Sequence, residues 1–303
     1  MQFLRTVTLL AMLTFMTSFT LAEDSQKKYI IIHADDAGMS HSVNRATIQG
    51  MQEGIVSSAS IMVPCPWFPE FARFAKEHPN LDYGIHLTLN SEWELYRWGP
   101  VAGRHQVPSL VDEDGFLWDN VAQVAQHAKA EEVEMELRAQ IERAKAFGVP
   151  LSHLDTHMGS AFCRPDIAKV YIQLGLEYKL PVLVVRPTEA NQVARIYPEI
   201  AKMLEPLKSA GFPILDEVYQ FYEHGDYEKR KQRYLDAITN APEGVSEIII
   251  HCGFDDHELR QITSSVDIRD SDRKVFTDPE VQAAIQRLGV QIITWKQFQE
   301  MKR

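Results

Sequence analysis

Cysteine is scarce in this 303-residue chain: Cys65, Cys163 and Cys252 are the three. So odd and sparse a set implies no disulfide framework, and the fold must rest on apolar burial. Basic residues fall short of acidic ones, 31 against 42, for a formal charge of −11. That surplus repels phosphate backbones and anionic bilayers, so nucleic acid and a stable membrane partner are both excluded as expectations. Neither a G-x-S-x-G elbow nor a G-x-G-x-x-G turn occurs. Serine-hydrolase and dinucleotide-enzyme readings fall with them. Internal repeats, low-complexity linkers and phosphate-cradling glycine loops are missing as well. Beyond the first 22 residues, no run approaches the roughly 20 apolar residues that span a bilayer.

Those first residues carry the one strong targeting signal. Arg5 precedes an apolar run from Val7 to Leu21, and Thr20-Leu21-Ala22 offers a small-residue cleavage site, as in a secretory signal peptide. Residues 1–22 are therefore expected to be removed and the protein exported, to a periplasmic or extracellular location. An uncleaved anchor is the alternative. Removal takes away Arg5 and no acid, so the mature chain is one unit more negative. With 45% hydrophobic residues, positions 23–303 suffice for a single large domain.

Short apolar, β-branched runs at 29–32, 60–63, 83–89, 151–157, 182–185, 214–219, 248–251 and 291–294 alternate with amphipathic segments. This alternation predicts an α/β fold with parallel strands and outer helices. Seven or eight such units favour a TIM-like (β/α) barrel over an open doubly wound sheet. The clearest helix follows Ala130, where Val133, Leu137, Ile141 and Ala144 recur at helical spacing before Gly148 and Pro150 stop it. A long irregular stretch, 90–120, carries Trp93, Tyr96, Trp98 and Trp118. Its aromatics suit a sugar-stacking lid, or simply pack the loop onto the rim.

The chemistry-bearing residues fall at strand ends. The first strand runs into Asp35 and Asp36, an adjacent pair that calls for a cation or a shared proton if buried; capping of the helix near Ser40 is the plainer role for Asp36. His86 lies in the third strand. His153, Asp155 and His157 alternate in the fourth and so share one face, which is costly in a buried strand unless they bind a cation or one another. His251, followed by Cys252-Gly253, ends the seventh. Cys252 reads as a small buried thiol.

The segments Ile32-His33-Ala34-Asp35-Asp36-Ala37-Gly38, Gly84-Ile85-His86-Leu87, His153-Leu154-Asp155-Thr156-His157 and Ile250-His251-Cys252-Gly253 resemble, in order, the motifs of the YdjC-like carbohydrate deacetylases. The resemblance spans nearly all of the mature chain. It implies a metal-dependent hydrolase acting on acetylated amino sugars. By position it makes Asp35 the general base, Asp36, His86 and His157 the metal ligands, and His251 the general acid. The sequence departs from the pattern after His157, where Met158-Gly159-Ser160 replaces further histidines, and at Cys252, which stands for the usual proline.

Elementary chemistry is consistent with those roles. One carboxylate and two imidazoles leave open positions on Zn²⁺, and the mixed donors also tolerate Mg²⁺, so one divalent ion of open identity is expected. A free carboxylate can then deprotonate attacking water, and an imidazole can protonate a departing amine. Asp155 is expected either to orient His251 or a ligand histidine, or to pair Arg186. His153, Arg186, Trp93 and Trp98 complete the set of expected supporting or substrate-contacting residues. The expected partner is an acetylated carbohydrate; the oligomeric state stays open, a homodimer being one outcome. Rival readings are a metal-dependent phosphoesterase or esterase on a non-sugar substrate, and a carbohydrate-binding barrel without catalysis.

Overall fold

The computed structural model describes residues 27–188, 195 and 198–301. The expected signal segment, 1–22, lies outside the described residues. Seven parallel strands form one sheet: β1 (Lys28–Ala37), β2 (Ser58–Ile61), β3 (Tyr83–Leu87), β4 (Leu151–Thr156), β5 (Glu217–Gln220), β6 (Gly244–Ile250) and β7 (Gln291–Ile292). Their order is β4-β3-β2-β1-β6-β5, with β7 paired to the start of β1 at Tyr29 and Ile30. Crossover helices include α1 (His41–Gln52), α2 (Phe68–Glu77), α3 (Val121–His127), α4 (Ala130–Ala146) and α5 (Pro165–Tyr178). Later come α6 (Ile200–Ser209), α7 (Tyr227–Asn240), α8 (Leu259–Ile262), α9 (Val266–Thr277), α10 (Pro279–Arg287) and α11 (Trp295–Glu300).

The two-residue period of β1 divides the interior. Ile30, Ile32 and Ala34 join the large core shared with the helices, whereas Ile31 joins Leu215, Val245, Ile293, Trp295 and Phe298 in a second cluster. Both sheet faces are thus covered, as parallel sheets require. The second face also carries polar groups: His33, Ser60, His86, His153, Asp155 and Glu247 are all at most 2% exposed. Gly84 makes room among them, since a Cβ there would lie 2.3 Å from Nε2 of His153.

Two expectations need correction. The regular ladder is not a closed barrel, because the expected strand at 182–185 makes only isolated bridges, Leu154 to Val182 and Val185 to Leu215. Pro181 and Pro187 bracket that segment, and each lacks the N–H a ladder needs. Nor does Asp36 cap α1: Ser40 is the N-cap, accepting from the Val43 N–H at 3.2 Å. The helix after Ala130 does form, with Val133, Leu137, Ile141 and Ala144 buried, and Gly148 takes φ 85° beyond its end. All three cysteines are free, with Cys65 and Cys252 buried. Among the described residues, no helix is long and apolar enough to cross a membrane.

The stretch 90–120 is held on the sheet by α4. Glu136, fully buried, accepts from the backbone N–H groups of Val101 and Ala102 at 2.9 and 2.8 Å and from Gln140 Nε2 at 2.7 Å. Replacing Glu136 by Ala strands these donors and should lower unfolding free energy by about 3 kcal/mol in urea titrations. Burial lifts the Glu136 carboxyl from its ordinary 4.5 to about 7, against the pull of its hydrogen bonds. A folded value above the unfolded one makes stability fall as pH rises from about 4.5 through 7, and the variant should lose that slope.

Candidate active site

Parallel strands bring their C-terminal ends to one rim, and the expected residues gather there around a cavity of about 780 Å³ lined by Asp35, Asp36, His86, Trp93, His157 and His251. A register irregularity between Ala34 and Ala37 marks the end of β1, which carries the two acids. Asp36 has φ 66°, in the left-handed region. That conformation is costly for a residue with a Cβ and persists only where neighbours hold it. Here the holder is Arg269 of α9, whose Nη2 donates to Asp36 Oδ2 at 2.7 Å. The neighbouring acid faces other partners, with Asp35 Oδ1 3.2 Å from His33 Nε2 and Oδ2 3.9 Å from His251 Nε2.

The other oxygen of Asp36 is buried without a hydrogen-bond partner. Around it stand His157 Nδ1 at 3.3 Å and His86 Nε2 at 3.4 Å. Four ligands held tetrahedrally at about 2.1 Å stand about 3.4 Å apart, so these spacings fit a zinc-sized ion. Each imidazole is turned by a carboxylate on its other nitrogen: His86 Nδ1 meets Asp155 Oδ1 at 2.9 Å, and His157 Nε2 meets both Glu92 oxygens at 3.0 Å. This is the usual way of aiming a ligand histidine. Among the described residues, two other groups bring candidate ligand atoms within 4.8 Å of one another, His33–His153–Asp155 and Asp35–His86–Asp155. In both, Asp155 is already spent on a 2.9 Å bond to a member histidine. Among the described residues, the triad of Asp36, His86 and His157 combines an orphaned carboxylate oxygen with a place on the cavity wall; His33 and His153 also carry orphaned nitrogens but do not line the cavity.

Charge follows this geometry. Burial opposes ionising Asp36, but the Arg269 guanidinium and His157 outweigh it and hold the carboxyl well below its usual range. Burial likewise opposes charging His157 and His86; Glu92 and Asp36 raise the first, Asp155 and Asp35 the second. For His251 burial wins and lowers its pKa. Its Nδ1 has no partner, its backbone N–H donates to Asp272 at 2.9 Å, and Tyr222 packs edge-on at 4.8 Å.

The supporting residues divide. Asp155 bridges His86 and His33, which lies 2.9 Å from its Oδ2. It does not pair Arg186, which is half-exposed and bonds Asp216 at 3.2 Å. His153 lies below the cavity, stacked on Trp295 at 4.8 Å, with burial and His33 holding its pKa well down. Of the loop aromatics, Trp93 lines the cavity; Trp98 is buried behind it at 5.4 Å, and Trp118 stacks on His127. Sequence reasoning missed Glu92, Tyr222 and Arg269. Only His33, inside the first motif, carried a sequence signal that could have added it.

The family model described as YdjC-like protein matches residues 29–287. A carbohydrate deacetylase of Geobacillus stearothermophilus is 32% identical over 276 residues, covering 90% of this chain and 99% of the relative. One from Thermoanaerobacter pseudethanolicus is 29% identical over 255 residues, covering 84% and 92%. Among solved structures, an Enterococcus faecalis protein described as a candidate cellobiose-phosphate cleavage protein superposes with a TM-score of 0.75 at 28% identity, covering 89% of this chain and 98% of that one. With most of its length matched and its motif residues lining one cavity, the chain belongs to the YdjC-like protein family.

Proposed function

We propose that this protein is a metal-dependent carbohydrate deacetylase that removes acetyl groups from N-acetylated amino sugars. The observation that carries the reading is the orphaned Asp36 Oδ1 between His86 and His157, with Asp35 and His251 facing the same cavity. The relatives' description as carbohydrate deacetylases supports the substrate class. Asp36, His86 and His157 hold one divalent ion, zinc by the preference of paired imidazoles or magnesium by tolerance of the mixed set. When bound, such an ion acidifies water and stabilises negative charge on the acyl oxygen.

The chain's own residues do the proton work. Asp35 takes a proton as water attacks the acyl carbon, and the C–N bond then breaks as the amine is protonated by His251. Burial lowers the His251 pKa; the proton that Asp35 removes from water makes good the one that His251 gives to the amine, so the cycle needs no outside proton. Acetate and a free amine leave. Trp93 offers an apolar ring face to the sugar at the mouth. The bridges at Leu154–Val182 and Val185–Leu215 support a barrel-like curvature of the sheet, and the apolar leader supports export with a mature start at Glu23.

The test is a panel of acetylated oligosaccharides incubated with and without chelator. Acetate and free amine should appear in equal amounts, stop on chelation and return with added zinc or magnesium. Release that continues undiminished in a protein shown to be metal-free would refute the metal reading.

A further inference from the structure

The loop after β3 is bound to the candidate metal centre at two points. At one, both carboxylate oxygens of Glu92 lie 3.0 Å from His157 Nε2. At the other, the Tyr96 hydroxyl donates to the carbonyl of Met39, just beyond the end of β1 that carries Asp35 and Asp36. Around these points the loop is braced internally. Ser91 Oγ accepts from the Trp98 N–H at 3.0 Å, Trp98 Nε1 donates to the Asn90 carbonyl at 3.1 Å, and Asn90 Nδ2 donates to Glu92 Oε2 at 3.1 Å. These bonds tie the segment 90–98 together, with Trp93 inside it.

From this geometry we infer that Glu92 is a positioning residue that makes the Trp93 loop part of the metal centre, so that binding the ion and docking the substrate platform are coupled. The inference rests on the metal reading above. With Nε2–H donated to Glu92, His157 keeps its Nδ1 lone pair free, facing Asp36 Oδ1. An ion that fixes this ring fixes the acceptor on its other side, and with it the braced segment. By linkage the effect is reciprocal: a docked loop holds His157 ready for the ion.

The experiment measures zinc affinity by competition with a chromogenic chelator, and amide hydrogen exchange over 91–98 with and without zinc. In the wild-type chain zinc should slow exchange across that segment. Glu92→Ala should weaken zinc by about 10–100-fold, the usual effect of losing a carboxylate behind a ligand histidine, and should abolish the zinc-dependent protection. Glu92→Gln retains an amide oxygen for His157 and should recover most of both, which separates positioning from a folding defect. Unchanged zinc affinity in Glu92→Ala, or equal protection by zinc in that variant and the wild type, would overturn the inference while leaving the metal reading intact. A wild-type chain that binds no divalent ion would overturn both.

Discussion

Replacing Asp35 by Asn should leave the ion bound and lower deacetylation by roughly 10²–10⁴-fold, the contribution of a positioned acid or base. Replacing its neighbour should do something different. Asp36→Asn removes the charge of the proposed ligand and leaves the buried Arg269 guanidinium, whose Nη2 lies 2.7 Å from Asp36 Oδ2, without its counter-charge. Breaking a buried pair by removing one partner is strongly destabilising, about 3–5 kcal/mol. Metal content, melting temperature and turnover should therefore all fall in Asp36→Asn, and turnover alone in Asp35→Asn. Elemental analysis beside acetate release separates the two. If Asp35→Asn loses the ion and Asp36→Asn keeps it, the roles are exchanged; if both retain metal and full activity, the mechanism is wrong.

The second large effect belongs to His251. His251→Ala should keep the metal, since its Nε2 faces Asp35 and it belongs to none of the candidate ligand groups. Hydrolysis of N-acetyl substrates should fall by roughly 10²–10⁴-fold, because an amine cannot leave unprotonated. An aryl acetate has a leaving group that needs no proton and should lose much less. The ratio of the two kcat/KM losses is the measurement, and equal losses for amide and ester would remove His251 from the acid role.

Much of this site was legible in the sequence because strands write it plainly. A period of two puts His153 and Asp155 on one face, and strand ends deliver Asp35, Asp36 and His251 to one rim. What the sequence hid arrives from elsewhere in the chain. Arg269 reaches Asp36 across 233 positions from a helix, and Glu92 reaches His157 across 65 from an irregular loop. Neither an outer helix nor a loop marks its contacts by periodicity. Arg186 misled for a related reason: the chain there runs beside Leu215, so its side chain meets Asp216 outside the cavity. The fifth strand was overread because its apolar run looks like β structure, while the prolines at its ends limit pairing to isolated bridges. Helix α4 was read well because its buried stripe and its Gly148 stop are local signals.

The imidazole of His153 occupies the space that any side chain on Gly84 would claim, and the two positions face each other in the β3–β4 register. A mutation at either is therefore judged against the residue at the other. During evolutionary drift a methyl group at 84 becomes admissible once 153 has shrunk, and a ring at 153 can return only after 84 has reverted. The order of such changes is constrained, and the two positions should covary across relatives although neither lines the cavity.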